Sequence, residues 1–163
     1  MATLLKNLND FSHMQVASAA GMRFTILVSQ WNATVTGALL QGAQEALLQY
    51  GALEEDIQVE VVPGSFELIA GADVVLQHGN SDAVICLGCV IQGETKHFDF
   101  ICQAVAQGLA QVSIKYTQPV IFGVLTTDNQ QQALDRSGGI HGNKGAEAAV
   151  TAIQMVDLAK RLK

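Results

Sequence analysis

Four stretches of this sequence place chemically capable side chains just beyond apolar runs. The first is Gln30-Trp31-Asn32. Trp31 is the sole tryptophan, and its flat face suits stacking on a heterocycle, although a large aromatic more often serves a core. The second is Pro63-Gly64-Ser65-Phe66-Glu67. Pro63 and Gly64 turn the chain, Ser65 suits the cap of a following helix, Phe66 adds an aromatic, and Glu67 can accept hydrogen bonds from hydroxyl groups. Read alone, this is an ordinary turn and cap. The third, Ile91-Gln-Gly-Glu-Thr-Lys-His-Phe98, is the most informative. Gly93 lets backbone approach a ligand. Glu94, Thr95 and Lys96 precede a helix whose first amides suit an anion. His97 is the histidine best placed for proton transfer near neutral pH, whereas His13, His78 and His141 read as surface residues. The fourth runs from Asp135-Arg136 to Gly142-Asn143-Lys144-Gly145. Arg136 offers a planar fork and Lys144 a point charge, a combination that suits phosphate. The bland reading is two solvated surface charges.

Other chemistries lack support. Cys86-Leu-Gly-Cys89 has CxxC spacing, but it lies in a predicted strand, where positions three apart point to opposite faces. The two sulfurs then do not meet, and no second pair completes a zinc site, so no metal is expected. No GxGxxG and no GxxxxGK[ST] occurs, which leaves dinucleotide and Walker-type phosphate sites without a signature. Nine basic residues are scattered through a chain of net charge −6, which argues against nucleic acid.

The elements that must position these residues alternate. The first 22 residues show no clean period and read as an irregular arm. Arg23–Ser29 reads as a strand. Val35, Leu39, Leu40, Ala43, Leu47 and Tyr50 mark one face of a helix that Gly51 ends. Ile57–Val62 is a second strand, stopped by Pro63-Gly64. Leu68, Ile69, Ala72, Val75 and Leu76 mark a second helix ending near Gly79. Asp82–Val90 is apolar almost throughout, as a strand covered on both faces should be. A third helix spans about Phe98–Tyr116 on the stripe Ile101, Val105, Leu109 and Val112. Pro119–Leu125 is a fourth strand. A short helix starts at Asp128 as N-cap. A last helix runs from about Lys144 to Leu162 with Ala148, Ala152, Met155, Val156 and Ala159 inward.

Such alternation predicts an α/β fold. The expected form is a three-layer αβα sandwich on a four-stranded parallel sheet, flavodoxin-like, with right-handed crossovers. All 163 residues are expected to form one domain. In open parallel sheets ligands bind beyond the C-terminal strand ends, where the four stretches lie. Hydrophobic residues make up 49% and charged residues 15% of the chain, and mean hydropathy is +0.26. So few charges over so much apolar surface point to subunit contacts. No apolar run is long enough to span a bilayer and no leader is apparent. Three cysteines, an odd number, fit reduced thiols in a cytoplasmic setting.

Taken in order, the motifs resemble the lumazine synthase family. They are Trp31-Asn32, VVPGSFEL (61–68), DAVICLGCVIQGETKHFDF (82–100), GLAQVS (108–113), PVIFGVLTTD (119–128) and GNKGAEAA (142–149). Ordered matches such as GETKHF and FGVLTTD are specific, and the resemblance covers nearly everything from Arg23 onward. It implies a cofactor-free enzyme that condenses 5-amino-6-(D-ribitylamino)uracil with L-3,4-dihydroxy-2-butanone 4-phosphate. The products are 6,7-dimethyl-8-ribityllumazine, phosphate and water. It implies Trp31, Asn32, Ser65, Phe66, Glu67, Cys89, Val90, Ile91 and Phe122 as the ribitylaminouracil side. Glu94, Thr95, Arg136 and Lys144 would form the phosphate side, and His97 would be the general acid/base. Phe122, Arg136 and Lys144 would arrive from a neighbouring subunit of a pentamer, or of an icosahedral shell of pentamers, with riboflavin synthase a candidate partner. Trp31 stands where phenylalanine is more usual, and Gln92 replaces a commonly basic residue. Cys89 stands where other small residues are usual, and Ser137–His141 departs from the usual text. Two rivals remain at this level: a module that binds a flavin or lumazine without catalysis, and a shell protein with a decayed site.

Overall fold

The computed structural model of the protein describes residues 7–12 and 14–162. His13 and the start of the expected arm therefore lie outside the described residues. The elements are β1 (Phe24–Ser29), α1 (Ala33–Gln49), β2 (Ile57–Val62), α2 (Leu68–His78), β3 (Ala83–Ile91) and α3 (His97–Tyr116). They continue with β4 (Val120–Thr127), α4 (Gln130–Asp135), the short strands β5 (Ser137–Gly139) and β6 (Gly142–Asn143), and α5 (Lys144–Arg161). The main sheet is parallel with order β2-β1-β3-β4, and β5 and β6 form a separate antiparallel ribbon.

Strand alternation divides the apolar residues between two faces. Phe24, Ile26, Val28, Ile85, Leu87 and Cys89 pack with Val35, Leu39, Leu47, Ile153 and Val156 of α1 and α5. Leu27, Val84, Cys86 and Val124 pack with Leu68, Ala72, Val105, Leu109 and Val112 of α2 and α3. The result is the expected three-layer α/β sandwich. Cys86 and Cys89 thus sit in opposite cores, and both thiols are free.

Three local expectations change. Asn129, not Asp128, caps α4: its Oδ1 accepts from the Gln132 amide at 3.0 Å. The two side chains are chemically near-equivalent as caps, and the extended backbone at Asn129 decides between them. Met155 is exposed rather than inward, because the buried stripe of α5 runs through Ala149 and Ile153. Ser65 does not cap α2: that helix starts three residues later, at Leu68, after a turn.

Asn143 fixes the start of α5. Its Oδ1 accepts from Gly145 N at 2.8 Å and Ala146 N at 3.4 Å, while its Nδ2 donates to the Ala38 carbonyl of α1 at 2.8 Å. The described part of the arm crosses this corner, where Asn9 Oδ1 accepts from Asn143 N at 2.7 Å. Among the described residues no helix is long and apolar enough to cross a membrane.

Candidate active site

Parallel strands bring their C-terminal ends to one edge of the sheet, and the backbone there is stitched together. Gln30 N donates to the Val62 carbonyl at 2.9 Å, joining the exits of β1 and β2, and Gln92 N donates to the Thr127 carbonyl at 2.8 Å, joining those of β3 and β4. Asn32 links the middle pair. It adopts φ 60° and ψ 45°, a left-handed conformation that asparagine tolerates better than most residues. From there its Nδ2 donates to the Cys89 carbonyl at 2.9 Å.

Above this edge lies a cavity of about 470 Å³ lined by Trp31, Asn32, Gly64, Ser65, Phe66, Glu67, Cys89, Val90, Ile91, His97 and Ile101. Trp31 is 73% exposed and Phe66 49% exposed, so neither is a core residue and each presents ring surface to solvent. Gly64 leaves room for Trp31 and Glu67 to approach. A Cβ at that position would stand 2.9 Å from Glu67 Oε2 and 3.4 Å from Trp31 Cδ1. His97 opens α3, and its backbone N–H reaches Thr95 Oγ1 at 3.4 Å. Ser65 is 6% exposed, and its hydroxyl has no partner among the described residues. Cys89 forms part of the floor. Burial pushes its thiol up to about 11, so it stays protonated near neutral pH and serves as packing rather than as a nucleophile.

Nine sequence-predicted residues therefore share one cavity: Trp31, Asn32, Ser65, Phe66, Glu67, Cys89, Val90, Ile91 and His97. Glu94 and Thr95 lie on the exposed loop before α3 and do not line it. Gly93 faces open space. Phe122 stands within β4, paired in register with Cys86. Arg136 and Lys144 lie together elsewhere. Lys144 N donates to the Arg136 carbonyl at 2.8 Å, so the backbones of the two residues meet where the β5–β6 ribbon begins and ends. Arg136 Nη1 donates to the Gln132 carbonyl at 3.0 Å, and Lys144 Nζ pairs with Glu147 Oε1 at 2.8 Å.

Sequence reading missed Ile101 as a lining residue and Gly88 as a structural one. A Cβ on Gly88 would meet Ser65 Oγ at 2.6 Å. A glycine inside a strand is the signal that could have found it. Among the described residues no cluster of three His, Cys, Asp or Glu side chains could hold a metal ion.

The cavity offers stacking faces, a carboxylate acceptor and a histidine. Its only formally charged lining residue is the acidic Glu67, so one chain's cavity suits a neutral, hydroxyl-rich heterocycle and opposes an anion. Comparison with known sequences agrees with that chemistry. The sequence model described as 6,7-dimethyl-8-ribityllumazine synthase matches residues 21–160. The chain is 48% identical over 163 residues to a protein of that name from Phocaeicola vulgatus, covering 100% of this chain and 97% of the relative. It is 51% identical over 156 residues to one from Cytophaga hutchinsonii, covering 96% and 98%. It is 53% identical over 155 residues to one from Flavobacterium johnsoniae, covering 95% and 82%.

Proposed function

The chain belongs to the 6,7-dimethyl-8-ribityllumazine synthase family, and we propose that its strand-end cavity is where that reaction takes place. It is a transferase of riboflavin biosynthesis. The observation that carries the site assignment is the convergence of Trp31, Ser65, Phe66, Glu67 and His97 on one cavity. A module that merely holds a flavin is not favoured, since it would need the aromatic faces but neither His97 nor a cation pair.

In our reading the pyrimidine of 5-amino-6-(D-ribitylamino)uracil stacks on Trp31 and Phe66, and its ribityl hydroxyls donate to Glu67, with Ser65 beside them in the same turn. Cys89, Val90 and Ile91 present backbone at the floor. Asn32 holds the Cys89 carbonyl from behind and so keeps that floor in place. The 5-amino group attacks the ketone of L-3,4-dihydroxy-2-butanone 4-phosphate and one water leaves as the imine forms. Phosphate is then eliminated with its C–O electron pair, and the enol rearranges to a ketone. The ribityl-bearing nitrogen closes the second ring on that ketone, releasing the second water. His97 accepts and returns the protons that these steps move.

The phosphate needs cations, and the lining residues supply none. We assign that role to Arg136 and Lys144 of an adjacent copy, with Phe122 of that copy closing the aromatic side and Glu94 and Thr95 completing the loop near the anion. The support is physical: Arg136 and Lys144 are joined by a backbone hydrogen bond at the two ends of the β5–β6 ribbon, outside a cavity whose own charge is acidic. The working unit is then a ring of copies, which we take to be a pentamer, free or within an icosahedral shell in the cytoplasm, with riboflavin synthase a candidate companion. Within it residues 1–163 act as one domain.

The deciding assay mixes both substrates with purified protein and follows lumazine absorbance against a protein-free blank. Acceleration that needs both substrates and saturates in each is expected. No acceleration by a folded oligomer would refute the assignment.

A further inference from the structure

Two buried hydroxyls near the cavity have no role in the site described so far. Ser29, the last residue of β1, is 1% exposed, and neither its Oγ nor that of Ser65 has a hydrogen-bond partner among the described residues. Their placement is related. Val28 pairs in register with Leu87 of β3, so the next residues along, Ser29 and Gly88, are neighbours across the two strands. Leu27 and Cys86 face α2 and α3. Two residues on, Ser29 and Gly88 face the same way.

Gly88 has no side chain on that face, and Ser65 occupies the space. A Cβ on Gly88 would lie 2.6 Å from Ser65 Oγ, 3.3 Å from Ser65 Cβ and 3.1 Å from Leu68 Cδ1. Ser65 therefore rests on the bare backbone of β3, with the hydroxyl of Ser29 on the adjacent strand. Polar groups buried this deeply are costly without a partner, and an ordered water is the partner that proteins supply where no protein group does.

We propose that Ser29, Gly88 and Ser65 form a hydrated berth beneath the cavity floor. One water bridges the hydroxyls of Ser29 and Ser65, and the missing side chain of Gly88 makes room for Ser65. Ser29 and Gly88 are thereby positioning residues. They act through Ser65, fix the Gly64–Glu67 turn, and so set how tightly the ribitylaminouracil is held. This rests on the assignment of Ser65 and Glu67 to that substrate.

The test has a structural and a binding arm. A high-resolution crystal structure is expected to show a water within hydrogen-bond reach of both Oγ atoms. Either hydroxyl bonded elsewhere, or a dry contact between them, overturns the berth whatever the protein catalyses. For binding, 5-amino-6-(D-ribitylamino)uracil is titrated against wild type, Ser29→Ala, Gly88→Ala, Ser65→Ala and Ser29→Ala/Ser65→Ala, reading Trp31 fluorescence. Ser29→Ala is expected to weaken binding by about threefold to tenfold, the worth of one hydrogen-bond link. It is expected to change the KM for the butanone phosphate less than about twofold, and to add nothing in the Ser65→Ala background. Gly88→Ala is expected to weaken binding at least as much, since its methyl displaces Ser65. Ser29→Ala differs by one oxygen and keeps the test standing if Gly88→Ala fails to fold. A Ser29→Ala effect that survives in full without the Ser65 hydroxyl, or that falls equally on both substrates, overturns the positioning role. Wild-type protein that neither binds the uracil nor accelerates the condensation refutes the functional assignment instead and leaves the crystallographic arm to decide the berth.

Discussion

Two variants that each break one half of the site should restore activity when they share an assembly. The pocket-side variant is Trp31→Ala/His97→Ala. Both side chains are exposed, so the fold should lose little, within about 0.5 kcal/mol per surface change. Loss of stacking on one heterocycle is worth about 1–3 kcal/mol, or about 5- to 150-fold in binding. Loss of proton transfer costs about 10²–10⁴-fold. The cation-side variant is Arg136→Ala/Lys144→Ala. It removes two charge-assisted contacts at about 1.5–3 kcal/mol each, again without touching the core. Each variant alone should therefore run close to the uncatalysed blank. When the two are unfolded, mixed in equal amounts and refolded, they assort at random. A site built from the cavity of one copy and the cations of the next is then intact about one time in four. The mixture should recover about a quarter of the wild-type kcat per site, with a wild-type KM for both substrates in the recovered fraction. A site held within one chain gives no intact combination at all. A refolded, fully assembled mixture no more active than the average of its two components would refute the division of the site between copies.

The remaining predictions concern single residues. Arg136→Ala should raise the KM for the butanone phosphate about 10- to 100-fold and leave that for the uracil nearly unchanged; equal effects in steady-state kinetics would remove it from the phosphate side. Burial raises the thiols of Cys86 and Cys89, the latter from 9.0 to about 11. At pH 8 only about one Cys89 thiol in a thousand is ionised, so a disulfide reagent should modify Cys86 and Cys89 only after unfolding. The same shift acts on stability. Above pH 9 the unfolded thiol loses its proton while the folded one keeps it, so the contribution is full below pH 9 and declines toward pH 11. Urea unfolding across that window should show a smaller alkaline loss in Cys89→Ala than in wild type. Asn143→Ala removes the α5 cap and the bond to Ala38, and should cost about 2–4 kcal/mol in urea unfolding; a loss below about 0.5 kcal/mol would mean that the cap is dispensable.

The central strands β1 and β3 were legible because they are buried on both faces and read as continuous apolar runs, whereas β2 at the edge was legible through its alternation. Their ends were less so. β4 continues to Thr127, two residues past the apolar run, because ladder hydrogen bonds do not require apolar side chains. The cavity residues were legible through one rule, that ligands gather beyond parallel strand ends, and this rule places Trp31, Ser65 and His97 without knowledge of their contacts. Gly88 was not. It reads as one more small residue in an apolar strand, and its importance depends on Ser65 lying above it, which only the packing of α2 reveals. Phe122 was likewise opaque from spacing: it sits in mid-strand, and no periodicity says whose cavity it serves. Asp128 and Asn129 show a different limit, since two adjacent side chains of equal capping ability are separated by backbone angles alone.

Charge explains why a site of this kind would be divided. Glu67 suits a hydroxyl-rich substrate and repels a phosphate, while a cation pair suits the phosphate. Placed in the same wall of one cavity, Lys144 or Arg136 would pair with Glu67 at contact distance, and each would mask the other from its substrate. In this chain Lys144 pairs with Glu147 at 2.8 Å, Arg136 donates to the carbonyl of Gln132, and neither lines the cavity that contains Glu67. Keeping the cations apart from that cavity lets each element meet its own substrate, as the proposed division of the site between copies requires. The exposed ring surface of Trp31 points the same way. Stacking and proton transfer gain most from excluding water, and a cavity with its tryptophan 73% exposed lacks that exclusion on its own.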